Sequence, residues 1–201
     1  MKAAVEKEIR TMSDSIEIRS ENNEPAKIIG YAARFNSPSE EMWGFVEQIR
    51  PGAFLKALEK SDARALFNHD PNLILGREKS GTLKLSEDEV GLRYEITPPD
   101  TQWAKDLISS IQRGDVSQSS FAFSMTGGVE EWDDSKEPAV RTIVEVGKLY
   151  DISPVTYPAY PSTSVNVRSM EEVAQEHRKR SADKRPHVEV LKRRLEIEAE
   201  I

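Results

Sequence analysis

Short apolar segments of strand length, separated by turn residues, recur through residues 1–168 and constrain the fold of this chain more than any other feature. Ile16 and Ile18 alternate with charged neighbours, and residues 140–146 alternate as cleanly, which is typical of strands with one buried face. The turn-rich segment 86–91 separates two such runs and predicts a hairpin. The predicted strands are residues 16–19, 27–35, 45–49, 64–68, 82–85, 92–96, 119–125, 140–146 and 149–156. We therefore expect a β-rich body.

Two segments of the body have helical periodicity instead. Residues 53–60 place apolar side chains on one side, which predicts a short helix. Trp103, Leu107 and Ile111 recur at the i, i+4 and i+8 positions of a second helix. Gly114 is well placed as its C-cap. The body thus combines many strands with at least two helices.

The composition changes after Arg168. Of the 33 residues in 169–201, eight are acidic and eight are basic, so the net charge of −7 belongs entirely to the residues before them. We divide the chain into a flexible leader (1–14), a body that forms the main domain (15–168) and a charged, partly helical tail (169–201). Val188, Leu191 and Leu195 form only a thin apolar stripe, so a solvated tail is expected. A tether or a partner-binding helix is the alternative.

The composition also narrows the classes of partner and chemistry. A net charge of −7 disfavours binding to nucleic acid or to an anionic membrane, and no apolar run approaches the roughly 20 residues of a membrane span. The absence of cysteine excludes disulfides, a thiol nucleophile and thiolate metal sites. Three scattered histidines make a poor metal site, and no phosphate loop or dinucleotide fingerprint is present. We therefore expect neither a metal nor a cofactor.

Serine is the remaining nucleophile. His69 is the only histidine in the body, because the other two lie in the charged tail. Ser117, Ser119 and Ser120 stand at the start of an apolar strand, and Asp151 lies on a later one. A serine hydroxyl needs an adjacent base, usually histidine, and the base needs a third group that orients it. The order His, Ser, Asp matches none of the three familiar triad orders. A turn histidine beside water-facing hydroxyls is the alternative interpretation.

Five segments together resemble the prohead (capsid maturation) proteases of tailed bacteriophages, whose fold is similar to herpesvirus assemblin. They are GYA at 30–32, RPGAF at 50–54, LFNHD at 66–70, SFAF at 120–123 and DISPVTYPA at 151–159. The resemblance covers residues 16–168. Ala122 stands where the family usually has glycine, and Ser119 duplicates the nucleophile position. The family's spacing before phenylalanine selects Ser120, and alternation along a strand lets only one of the two serines face His69.

The resemblance implies an α+β protease with a β-barrel-like core surrounded by helices. Ser120 would be the nucleophile, His69 its general base, and Asp151 the group that orients His69, where assemblin itself uses a second histidine. The substrates would be the scaffold, or the scaffold-like region of the major capsid protein, inside the immature prohead in the host-cell cytoplasm. The enzyme would also cut itself, and a homodimer is consistent with the resemblance because assemblins work as dimers.

Two competing functions rest on other features. A non-catalytic capsid assembly or scaffold-binding factor would keep the same fold and use the charged tail to bind its partner. A carboxylate-based hydrolase would need two Asp or Glu side chains facing each other in a cleft. Hydrogen-bond contact between His69 and Ser120 would favour the serine protease over both.

Overall fold

The strands and helices of the body follow the periodicities of its sequence. In this computed structural model, the described residues are 7–12, 16–20, 25–41, 43–157 and 169–183. Their strands are β1 (Glu8–Met12), β2 (Glu17–Arg19), β3 (Lys27–Arg34), β4 (Phe45–Ile49), β5 (Arg64–Phe67), β6 (Asp70–Arg77), β7 (Leu83–Glu87), β8 (Gly91–Ile96), β9 (Gln118–Ser124), β10 (Val129–Asp133), β11 (Ala139–Glu145) and β12 (Lys148–Val155). Their helices are α1 (Leu55–Lys60), α2 (Gln102–Arg113) and α3 (Met170–Asp183). The expected α+β class is confirmed.

Within the described part of the chain, the strands form three sheets. A five-stranded sheet has the order β1-β9-β12-β5-β6, a four-stranded sheet β2-β3-β8-β7, and a three-stranded sheet β10-β11-β4. Neighbouring strands are antiparallel except for β12 with β5 and β11 with β4. The largest sheet ends at β1 and β6 without pairing back on itself. The described residues therefore contain no closed barrel, and only three helices accompany the sheets in this part of the chain.

Aromatic side chains of β9 lie at the centre of the main core. Phe121 and Phe123 are fully buried, and their ring centroids are 5.1 Å apart. Phe54 meets Phe121 edge-on at 5.5 Å, a geometry that aromatic pairs prefer. Because successive side chains of a strand point to opposite faces, these rings bury one face of β9 and turn Ser120 to the other.

The two helices predicted for the body are present as α1 and α2. The second ends where expected, at Gly114, whose φ of 83° is the left-handed conformation of a glycine C-cap. Strand β10 was not predicted, because residues 129–133 are largely polar and show no apolar alternation. No helix among the described residues is long and apolar enough to span a membrane.

The predicted flexible leader, residues 1–14, differs from the structure at residues 8–12, which form β1. This strand pairs along β9 from Glu8 opposite Phe123 to Met12 opposite Ser119. Glu8 of this strand is buried. The physical reason is pairing over a long sequence separation, since the Glu8 carboxylate accepts from Arg141 at 2.9 Å. A local periodicity cannot reveal such a partner.

The first part of the predicted tail is a helix that packs against the body. Buried side chains of α3, Met170 and Val173 among them, form a small second core with Phe45 of the three-stranded sheet. Farther along the helix, the His177 ring stacks on Trp132 at 3.7 Å between centroids. The composition of the chain therefore changes after residue 168, but the helix that follows still packs against the body. The apolar stripe predicted at 188–195 lies outside the described residues.

Candidate active site

His69 lies in the tight turn between β5 and β6. Asn68 and His69 have φ values of 52° and 58°, so both central residues of this two-residue turn are left-handed, as in a type I′ hairpin. Glycine is favoured at the second of these positions, and a side chain there is strained. The Asn68 amide anchors the turn, since its Oδ1 accepts from the Thr156 N–H at 2.9 Å. The turn is thereby fixed against the end of β12.

Ser120 and Asp151 come from the two strands that lie side by side at the centre of the sheet. Ser120 of β9 is paired with Ser153 of β12, and Asp151 is paired with Ala122. Asp151 and Ser153 are two residues apart, so they share a face of β12 with each other. Strand β5, which leads into the turn of His69, is the other neighbour of β12. The order of strands therefore brings all three predicted residues together.

The three side chains form a continuous chain of contacts. The His69 Nε2 atom lies 2.7 Å from Ser120 Oγ, and its Nδ1 atom lies 2.5 Å from Asp151 Oδ1. This is the arrangement in which one ring nitrogen faces a hydroxyl and the other a carboxylate. Ser119 faces the opposite way, with its Oγ 2.7 Å from the hydroxyl of buried Tyr94. Ser117 is exposed before β9 begins.

The environment of Asp151 favours its ionised form. Burial alone would raise the pKa of the carboxyl, but the hydrogen bond and charge of His69 and the charge of Lys7 outweigh it and hold the pKa below the usual value. Lys7 donates from Nζ to Asp151 Oδ2 at 2.9 Å. Asp151 can therefore orient His69 and stabilise positive charge on the ring.

Two polar neighbours of the site were not predicted. The Ser153 hydroxyl lies 3.4 Å from both His69 Nδ1 and Asp151 Oδ1, and it accepts from the His69 backbone N–H at 3.3 Å. Its place two residues after Asp151 on one strand was an available signal. Lys7 gave no such signal, because it precedes a strand that was interpreted as a flexible leader.

Strand β1 covers the candidate nucleophile. Ser120 is 0% exposed, while the His69 side chain retains 14%. Thr11 lies opposite Ser120 and donates to its Oγ at 3.4 Å, and the Arg10 carbonyl oxygen lies 2.9 Å from the same Oγ. A hydroxyl has one proton to donate, so the Arg10 carbonyl competes with His69 for it.

A cavity near this region lies beside the covering strand and not over the three side chains. It has a volume of about 310 Å³ and is lined by Glu8, Ser124 and Arg180, among others. None of Ser120, His69 and Asp151 lines it. Access to the Ser120 hydroxyl therefore requires movement of β1. With access, the three side chains have the parts for acyl transfer, namely a nucleophile, a base and an orienting acid.

Comparison with known proteins places the chain among viral proteases. The model of a family described as caudovirus prohead serine protease matches residues 14–176. No curated protein matches the sequence. Among solved structures, the bacteriophage T4 capsid assembly protease gp21 is similar, with 13% identity over 75% of this chain and 98% of that one and a TM-score of 0.49.

Proposed function

This chain belongs to the caudovirus prohead serine protease family, and on that premise we propose that it is an active serine endopeptidase of capsid maturation. Its substrates would be the scaffold, or the scaffold-like region of the major capsid protein, inside the assembling prohead in the host cell. The observation that supports this most directly is the chain of contacts from Ser120 through His69 to Asp151.

In the proposed mechanism, His69 Nε2 takes the Ser120 proton as Oγ attacks the carbonyl carbon of a peptide bond. The tetrahedral intermediate collapses when the protonated ring gives this proton to the leaving amine, and an acyl-enzyme on Ser120 remains. His69 then takes a proton from water as the water oxygen attacks the acyl carbon. The ring gives this proton to Ser120 Oγ when the acyl–oxygen bond breaks, so the second product leaves and the serine hydroxyl is restored. Asp151 accepts from Nδ1–H throughout, so it fixes the tautomer and stabilises the imidazolium in both steps.

The test uses the two neighbouring serines of β9. Full-length wild-type protein is expected to cleave its cognate capsid precursor and to react with a fluorophosphonate, whose phosphorus bonds to Oγ as fluoride leaves. Ser120→Ala is expected to lose both by orders of magnitude, because triad residues act as a unit. Ser119→Ala is the matched control, since its hydroxyl faces Tyr94 and not His69.

Two outcomes would contradict the proposal. Activity in Ser120→Ala together with its loss in Ser119→Ala would mean that the neighbouring serine is the nucleophile. Absence of cleavage and labelling in wild type, with normal assembly of capsids, would favour the non-catalytic assembly factor. Self-cleavage and homodimer formation also stay predictions, which mass spectrometry of the expressed chain and light scattering test.

A further inference from the structure

The strand that covers Ser120 has the position of a bound peptide. β1 is the edge strand of its sheet, and its only described partner in that sheet is β9, which carries Ser120. A strand edge exposed by the departure of β1 would offer a row of unpaired backbone groups to another extended peptide. Addition of a strand to a sheet edge is a common mode of peptide recognition.

The contacts of β1 with the site are those expected of an inhibitory segment. The Ser120 hydroxyl donates to the Arg10 carbonyl oxygen at 2.9 Å, so the Arg10–Thr11 peptide bond lies beside the candidate nucleophile. Lys7 binds Asp151, which weakens the negative charge available to an imidazolium on His69. With β1 in place, no second peptide reaches the fully buried Ser120 hydroxyl.

The side chains of Glu8 and Arg10 lie on one face of β1, which we call its inner face, and their charged contacts hold the strand in place. Glu8 accepts from Arg141 at 2.9 Å, and Arg10 donates to both Glu47 oxygens, at 2.6 and 3.0 Å. Arg141 is itself fully buried and also contacts Glu47 and Glu130. These contacts depend on the charge pattern of the strand.

The charge pattern also makes β1 replaceable. The strand brings one acidic and one basic side chain to the inner face, so its departure leaves the net charge of that region unchanged. It does leave Glu47 and Arg141 each without one buried partner, which is costly. A peptide with the same alternation of acidic and basic side chains restores both contacts.

We propose that residues 7–12 are a substrate-like inhibitory strand, and that substrates replace it as an extended segment antiparallel to β9 with an acidic side chain facing Arg141 and a basic one facing Glu47. The basic residue, at the position of Arg10, directly precedes the cleaved bond. The acidic residue stands two positions earlier, where Glu8 is. This inference rests on the proposed peptidase function of Ser120.

A reversible lock tests the inhibitory role. Ile9 and Ala122 are directly paired across β1 and β9, and the chain has no cysteine, so Ile9→Cys with Ala122→Cys yields one defined disulfide. In the full-length protein, the oxidised form is expected to react with fluorophosphonate at least ~100-fold more slowly than the reduced form, since the rate scales with the open fraction. Ser86→Cys with Arg93→Cys, a pair on β7 and β8, is the matched control and is expected to label equally in both states.

The outcomes separate the two proposals. Equal labelling of the reduced and oxidised lock, with the disulfide verified by mass, would overturn the inhibitory role of β1 while leaving Ser120 as a nucleophile. Failure of wild type and reduced lock alike to label would contradict the peptidase function, and with it the inference. Cleavage of the chain after Arg10 that Ser120→Ala abolishes would support the placement of β1 in the substrate position.

A pair of peptides tests the charge pattern without altering the protein. A substrate peptide containing KEIRTM, the sequence of residues 7–12, is compared with one in which glutamine replaces its glutamate. Loss of a charge-assisted hydrogen bond predicts a fall in kcat/KM of about 10-fold or more for the glutamine peptide. A peptide with valine for isoleucine, whose side chain faces away from Arg141, is the control. Equal kcat/KM for the glutamate and glutamine peptides would overturn the role of Arg141.

Discussion

His69 occupies a backbone conformation that favours glycine. We therefore expect His69→Gly to be more stable than His69→Ala, the reverse of the usual order in a strand. His69→Ala and His69→Gly both remove the imidazole and its contacts, and their difference isolates the backbone at φ 58°. A Cβ in the left-handed region costs about 1–2 kcal/mol. Glycine avoids this cost, but its greater conformational freedom in the unfolded chain lowers the stability of the glycine variant by about 0.4–1 kcal/mol. His69→Gly is therefore expected to be the more stable by about 0.5–1 kcal/mol.

Urea unfolding followed by tryptophan fluorescence measures this difference, provided that both variants unfold with the same slope. In a chain of this size, each kcal/mol of added stability raises the melting temperature by about 2–4 °C, so His69→Gly should also melt at a higher temperature than His69→Ala. Lys84, exposed in the regular strand β7, supplies the control, because there the alanine variant should be more stable than the glycine variant. If alanine equals or exceeds glycine at position 69 while the control behaves normally, the turn does not strain His69. Neither variant at position 69 should cleave peptides.

Two further predictions concern the orienting acid and the packed helix. Asp151→Asn should lower kcat by up to about 10⁴-fold, as in other triads, but less than Ser120→Ala; wild-type kcat would mean that another group orients His69. Because the pKa of the Asp151 carboxyl is held low in the folded chain, its ionised form stabilises folding above the ordinary value of about 3.9 and loses that effect as the pH falls through the lower folded value. Urea unfolding below pH 5 should accordingly show a flatter pH dependence in Asp151→Asn than in wild type, and equal slopes would contradict the assigned ionisation. Met170→Ala should destabilise the chain by about 2 kcal/mol through loss of packing on Phe45, whereas exposed Gln175→Ala should change little; equal stability of the two variants would show that α3 does not stabilise the body.

The position of Lys7 links the covering strand to the electrostatics of the site. Its ammonium group stands 2.9 Å from the Asp151 carboxylate that is proposed to stabilise the imidazolium of His69. Departure of β1 would therefore open the path to Ser120. It would also remove the Lys7 ammonium group that partly neutralises Asp151, so that the carboxylate stabilises the His69 imidazolium more strongly. Inhibition by β1 thus has a steric part and an electrostatic part.

Local pattern was sufficient to predict most strands and the candidate residues. The alternation at 140–146 predicted β11, and the turn-rich segment 86–91 predicted the hairpin of β7 and β8, because burial of one face leaves a period of two in the sequence. The three site residues followed from chemical type and from the resemblance of short segments. Their catalytic roles stay predictions, although the structure brings their side chains into contact.

Contacts between residues distant in sequence determined the features that local pattern did not predict. The sequence by itself determined that Ser119 and Ser120 face opposite ways, since a strand alternates, but only the neighbours of β9 put His69 on the side of Ser120 and Tyr94 on that of Ser119. Likewise, the charges of Glu8 and Arg10 have the local pattern of a solvated leader. Their burial in β1 depends on Arg141 and Glu47, which are distant in sequence, and partners brought together only by the tertiary fold leave no periodicity in the segment that they bury.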